Sequence, residues 1–319
     1  MLYLNYYDEF IFLVTFHSPT EKLAFLDLYE ANLFPFLSIS ESPRDTFDYK
    51  INLRQNTSDF KADLSDWSET VFFTPLTDNA ISDFGTGFVK HSSDTSRTIY
   101  NPNSGTLFSI DKNTIEVLYR NNSSFTKDFQ RLLKQLIVTE IERQGGAILH
   151  ASAVSFGDYG FCFVGEKGQG KTTSLLQSLQ IPDVGYLTND RLPIIPSGEG
   201  FKALGWFEEI RLVIPGSTKK EVVRVTDYVD PSRIQKKPVY LKKIILPTRI
   251  QNDSSPAEIV ASQMLSPIDP QRPKWLGFSA PQNFPLASLL EKVSTACIHW
   301  SYSDLEGLTR QIEKEILNV

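Results

Sequence analysis

Along the first 122 residues, apolar positions come in short bursts rich in aromatic and β-branched side chains: Phe10 to Phe16, Thr70 to Thr74, Gly87 to Lys90, Thr106 to Ile110 and Thr114 to Tyr119. Polar clusters with turn chemistry separate them, such as Ser92 to Arg97 and Asn101-Pro102-Asn103-Ser104-Gly105. Bursts of this length between turn residues predict strands, so the stretch is expected to be mostly antiparallel β. Gly105, the run Thr106 to Ile110, the turn Asp111-Lys112-Asn113 and the run Thr114 to Tyr119 read together as a hairpin. Leu107 or Phe108, and Val117, are among its expected buried positions.

After Asn121-Asn122-Ser123-Ser124 the period changes. Phe129, Leu132, Leu133, Leu136, Ile137 and Ile141 recur at threes and fours, which predicts an amphipathic helix over 126–144, stopped by Gly145-Gly146. The polar break sets the expected domain limits at 1–122 and 123–319, although this helix has the pattern to serve either side. Beyond it strands and helices alternate. Ala147 to Phe156 and Tyr159 to Val164 read as strands joined by Gly157-Asp158. A glycine-rich loop, a helix over about 170–180 and a strand Val184 to Thr188 follow. Further strands are predicted at 192–195, 210–214, 221–225 and 239–246, then a helix Leu286 to Ala296, a strand Cys297 to Tyr302 and a helix Asp304 to Leu317. The expected class is α/β or α+β, with a β-rich N-terminal domain. No internal repeat or low-complexity tract interrupts the pattern.

Composition narrows the class. The 319 residues are 41% hydrophobic, 12% aromatic and 22% charged, which supplies a core and excludes general disorder. Asp+Glu total 38 against 32 Lys+Arg, a net charge of −6, so no global basic field holds a polyanion and nucleic acid is not an expected partner. Cys162 and Cys297 supply neither a disulfide framework nor a CxxC metal site, and His17, His91 and His299 lack ligand-spaced partners for zinc. No Lys or Arg precedes Lys22, and the early apolar run Phe10 to Val14 is far below the roughly 20 residues that span a bilayer. The expectation is a cytoplasmic protein with no membrane partner; a homo-oligomer is left open.

The chemistry concentrates at Gly165-Glu166-Lys167-Gly168-Gln169-Gly170-Lys171-Thr172, which matches GxxxxGK[ST] at every fixed position. It follows the apolar run Phe161 to Val164 and opens a helical segment, the strand, loop and helix that a phosphate-binding loop requires. Glycines let backbone N–H groups wrap a phosphate chain, and the helix N-terminus adds its positive dipole end. Lys171 is placed to reach the β and γ phosphates, and the Thr172 hydroxyl to ligate Mg²⁺; Thr173 adjoins them as a further nucleotide-binding candidate. No Asn-Lys pair occurs to read a guanine, and there is no LSGGQ signature and, after the loop, no apolar run ending in Asp-Glu, so neither a Ras-type GTPase nor an ABC-type ATPase is indicated. Asp190 ends the strand Val184 to Thr188, 19 residues after Lys171. One βαβ unit brings its carboxylate beside the loop, to hold Mg²⁺ or to take a proton from an attacking hydroxyl.

These residues together resemble the HPr kinase/phosphorylase family and its kinase-like relatives associated with peptide-modification gene clusters. The likeness covers about 147–215: a His in the first strand (Leu149-His150-Ala151), the glycine loop, Gly185-Tyr186-Leu187-Thr188-Asn189-Asp190, and Glu208-Glu209-Ile210-Arg211, in the family's order. The resemblance implies a C-terminal phosphate-loop domain of HPr-kinase type that uses ATP and Mg²⁺ to phosphorylate a serine or threonine hydroxyl of a peptide or protein. It places His150 near the reacting phosphate, Asp190 as base or metal-linked acid, Glu209 as a magnesium ligand and Arg211 as a charge stabiliser or structural partner. Asn189 stands where the family has the first Asp of a pair, Ala151 and Leu212 stand where it has Gly, and its C-terminal helix motif has no counterpart. The reverse, phosphorylase reaction and HPr itself as substrate are accordingly not expected.

Two other readings stay open: a nucleotide-dependent binding module without phosphate transfer, which Asn189 favours, and a kinase of a small molecule. Cys162, between Phe161 and Phe163, is expected to pack in a core. Lys219-Lys220, Lys236-Lys237 and Lys242-Lys243 are expected on the solvated surface, with the capacity to meet an acidic peptide or phosphate. Substrate recruitment falls to the N-terminal domain by its position.

Overall fold

The computed structural model describes residues 1–56, 63–71, 86–208, 210–213, 220–248, 255–266, 276, 291, 297–301 and 304–317. The chain divides into two compact units, one of 1–139 with 270–279 and one of 140–269 with 280–319. Each is a mixed α/β unit built on a nine-stranded mixed sheet. Among the described residues no helix is long and apolar enough to cross a membrane.

The first unit contains β1 (Leu2–Tyr6), β2 (Phe10–Phe16), α1 (Pro19–Leu28), β3 (Leu37–Ser40), β4 (Tyr49–Gln55), β5 (Ser68–Val71), β6 (Thr86–His91), β7 (Ser96–Asn101), β8 (Thr106–Asp111) and β9 (Thr114–Tyr119). The strand order is β3-β1-β2-β4-β9-β8-β7-β6-β5. The hairpin expected at 106–119 is present, with Phe108 opposite Val117 and both fully buried. Of the expected run Thr70 to Thr74, residues 72–74 lie outside the described residues. Most pairings are antiparallel, but β2, β4 and β9 are parallel neighbours at the centre. Parallel partners need a crossover, and here α1 with β3, and then the four strands β5 to β8, supply the return path.

Helix α2 (Asn122–Arg143) begins four residues before the predicted start. The polar stretch at its head is the helix's own first turn, where Phe125 N donates to Asn121 O and Thr126 Oγ1 to Asn122 O. Asparagine and serine are residue types that helix starts favour, so a polar stretch of this kind opens the helix instead of breaking the chain. Its predicted apolar face, Phe129 to Ile141, is buried throughout, and Phe125, ahead of the predicted start, joins it, stacked on Tyr119 with centroids 4.2 Å apart. Gly145, at φ +75°, lets the chain leave the helix in the left-handed region, and Gly146 N bonds back to Ile141 O at 2.8 Å.

The second unit contains β10 (Ala147–Leu149), β11 (Ala151–Phe156), β12 (Tyr159–Val164), α3 (Lys171–Ser178), β13 (Val184–Thr188), β14 (Leu192–Ser197) and β15 (Gly200–Ala203). It continues with β16 (Ile210–Val213), β17 (Lys220–Val223), α4 (Val225–Tyr228), β18 (Val239–Thr248), α5 (Pro256–Ser262), β19 (Met264–Ser266), β20 (Cys297–Ser301) and α6 (Leu305–Leu317). The helix expected at 286–296 lies, apart from Glu291, outside the described residues, as do Ile214 and Tyr302 at the ends of two expected strands. The predicted strand 221–225 ends earlier, because Val225 starts the short helix α4.

The sheet runs β13-β11-β12-β18-β15-β14-β10-β19, with β20 also on β18. Strand β10 leads through one residue into β11, yet four strands lie between them along the pairing path, so the sheet has to curl upon itself. Ala147, Ala151, Ala153 and Ala203 belong to the buried cluster it encloses, with Cys162, Val164, Ile244 and Met264. Small side chains let facing strands approach. Phe161 and Phe163 alternate with Cys162 and Val164, and are fully buried as well. Helix α3 packs on β11 and β12, and α6 packs on α3.

Candidate functional site

One interruption in a strand pair organises the site. The run 147–156, expected as a single strand, is broken at His150, and its partner 184–197 is broken at Asn189-Asp190-Arg191. On one side of the break Leu149 faces Leu192; on the other Ala153 faces Thr188, in the same register. Across it Ala151 N donates to Asp190 O (3.2 Å) and Ser152 Oγ to Asn189 O (2.7 Å). His150 N is drawn instead to Gln263 O (2.7 Å). The two interruptions face each other, and His150 Nε2 meets Asp190 Oδ1 at 3.1 Å, both side chains part-exposed at 36% and 47%.

The glycine loop opens at the same edge of the sheet. β12 ends at Val164 opposite Ala151, and β13 runs in the same direction as β12 because both are antiparallel to β11. Neighbouring strands lie about 4.8 Å apart, so two strand spacings, about 10 Å, separate the end of β12 from Asp190. That span is one that a lysine side chain and a carboxylate can bridge to a common phosphoryl group.

Within the loop Gly168 and Gly170 take φ +92° and +99°, which only glycine adopts without strain. Gly170 is the N-cap of α3, whose first internal bond is Ser174 N to Gly170 O (2.8 Å); the Thr172 and Thr173 N–H groups lie ahead of it at the positive end of the helix. The Lys167, Gly168 and Gly170 N–H groups donate to no acceptor among the described residues. A side chain at Gly165 would strike Gln169 Oε1 at 2.7 Å, so the loop closes over its own base. Lys171 is 9% exposed and donates to the carbonyls of Gly165 (2.5 Å) and Glu166 (3.3 Å), which holds its ammonium inside the loop. Glu166, Lys167 and Gly168 are exposed at its rim, and Thr172 and Thr173 are half-buried. Backbone N–H groups without an acceptor among the described residues, a helix start and a buried ammonium suit an anion of phosphate type. A hydroxyl and a carboxylate, Thr172 and Asp190, are hard oxygen donors that suit Mg²⁺. Among the described residues no group of three His, Cys, Asp or Glu gathers as a metal cage.

Of the other expected site residues, Arg211 stands on β16 opposite Val222, and Glu209 lies outside the described residues. Asn189 is 7% exposed, with its Oδ1 lacking a hydrogen-bond partner among the described residues, whereas Asp190 beside it is open to solvent. The residue that spacing misses is Glu208. Its Oε1 accepts from Thr188 Oγ1 (2.9 Å), Asp190 N (2.9 Å) and Arg191 N (3.1 Å). The signal for it in the sequence is its place after the apolar pair Trp206-Phe207, each 2% exposed.

A comparison with protein-family models finds no family that matches the chain, and a search of the curated proteins finds no match.

Proposed function

We propose that the second unit is a phosphate-loop kinase domain of HPr-kinase type, which transfers the γ-phosphate of ATP to a serine or threonine hydroxyl of a peptide or protein. What supports it is one juxtaposition: the glycine loop with Lys171 opens at the sheet edge that carries the His150–Asp190 pair. In this reading the loop N–H groups and the start of α3 hold the phosphate chain, and Lys171 leaves the loop carbonyls to neutralise the β and γ oxygens. The acceptor oxygen forms a bond to the γ-phosphorus as the bond to the β-phosphate oxygen breaks and ADP departs. The hydroxyl proton passes to the Asp190 carboxylate, which His150 orients. Thr172, with Glu209 as the resemblance implies, would hold Mg²⁺, whose charge would screen the phosphates when bound. Catalysis is then mostly positioning and charge neutralisation, with the site's own residues supplying each.

The decisive experiment incubates the protein with Mg²⁺, γ-labelled ATP and a degenerate serine/threonine peptide library. Label is expected on peptide hydroxyls. Lys171→Ala should abolish it, and Asp190→Ala should lower kcat by about 10²- to 10⁴-fold with MgATP still bound in calorimetry. Near-normal turnover in the Asp190 variant removes that residue from the mechanism. The second reading, a nucleotide-dependent binding module, draws support from the amide of Asn189 where a base would be an acid. It predicts heat of MgATP binding and no labelled product, while label on an added amino acid or sugar points to a small-molecule kinase.

A further inference from the structure

We infer that Glu208 is a positioning residue: its carboxylate clamps the turn from Thr188 to Arg191 and so sets the Asp190 side chain against His150. The inference rests on the kinase reading of the same edge. A single oxygen, Oε1, gathers the Thr188 hydroxyl and two consecutive backbone N–H groups, those of Asp190 and Arg191, at 2.9 to 3.1 Å. The second oxygen faces Arg191 Nη1 at 3.6 Å. The Glu208 side chain is 9% exposed and that of Asp190 47%, so the clamp lies inside the turn and the acid outside it.

Three donors converging on one charged acceptor make stronger bonds than neutral pairs do, and they leave the turn little freedom. The Asp190 backbone is gripped from two sides: Glu208 accepts from its N–H, and Ala151 N donates to its carbonyl. A proton acceptor has to sit within about 0.5 Å of its productive place, so the backbone beneath it is part of the site. The segment that delivers Glu208 is itself anchored. Trp206 N donates to Leu187 O (3.3 Å), and Trp206 and Phe207 are buried and stacked with centroids 5.3 Å apart. Glu208 acts through the Asp190 backbone and needs no contact with the phosphate. Its neighbour Glu209, the magnesium ligand that the resemblance implies, is a separate role on the adjacent residue.

The test compares full-length wild type with Glu208→Ala and Glu208→Gln. Three quantities are read: hydrogen exchange of the Asp190 and Arg191 amides without nucleotide, MgATP affinity by calorimetry, and kcat on the degenerate serine/threonine peptide library. In Glu208→Ala the two amides should lose protection and kcat should fall about 10- to 100-fold, the usual effect of removing an orienting partner, while MgATP affinity stays the same. Glu208→Gln keeps an oxygen of the same shape and should recover part of both protection and rate; it decides the matter if the alanine variant does not fold. Unchanged exchange at 190 and 191, an unchanged kcat, or an affinity loss as large as the rate loss overturns the inference. A wild type that binds MgATP and labels no acceptor defeats the kinase reading instead, and the exchange result then still decides whether the clamp exists.

Discussion

Tyr119 illustrates how much a single side chain can hold in reserve. It is 1% exposed and stacked on Phe125, and its hydroxyl has no hydrogen-bond partner among the described residues. Burial, with a smaller contribution from the nearby Glu21 charge, pushes its pKa from 10.0 up to about 12. The folded state therefore resists ionisation more than the unfolded one. The associated stability is present in full below pH 10 and is lost as pH rises from 10 towards 12, by at most about 2.7 kcal/mol. Tyr119→Phe should flatten that alkaline decline in denaturant melts, and at pH 7 leave stability unchanged or raise it by about 1 kcal/mol, since it removes an unsatisfied buried group. Residue spacing picks out the glycine loop and Asp190 as candidates, because their chemistry requires fixed residue types in a fixed order, and the family resemblance adds His150. Spacing does not single out Glu208, because whether a carboxylate turns inward is decided by the backbone that delivers it and not by its place in the sequence.

At the scale of elements, periodicity is a sound guide to which segments form strands and helices and a weaker one to where they end. The strand 147–156, read from the sequence as one run, is broken at His150, whose N–H bonds Gln263 O in register with the β10–β19 pairing. The junction of α2 and β10 is the tightest place in this region. A Cβ added at Gly146 would meet Ile194 O at 2.3 Å and Ile141 Cγ2 at 3.0 Å, and neither the carbonyl nor the helix end can yield freely. Gly146→Ala is expected to cost about 3 kcal/mol in urea unfolding, as overpacking against backbone does. Gly200→Ala, where a Cβ meets nothing within 4 Å, serves as the control and should stay within about 0.5 kcal/mol.

For the whole molecule the relevant fact is the division into two units, with the glycine loop and the His150–Asp190 pair both in 140–269 with 280–319. A ligand present at a hundred times its dissociation constant stabilises the unit that holds it by about 2.7 kcal/mol. MgATP should therefore raise only the calorimetric transition of that unit, and Lys171→Ala should remove the shift. The polar break in the sequence puts the boundary near 121–124, at the head of α2, whereas in the folded chain it falls between Thr139 and Glu140. Helical periodicity reports one apolar face and not which neighbour it buries against. Sequence alone determined the element types, the glycine loop and the candidate residues, since each follows from local chemistry and short spacing. Only the tertiary structure decided that the sheet curls, that two breaks in paired strands coincide, and that Asn189 turns inward while Asp190 faces His150. Those are properties of register, and register is settled between strands far apart in the chain.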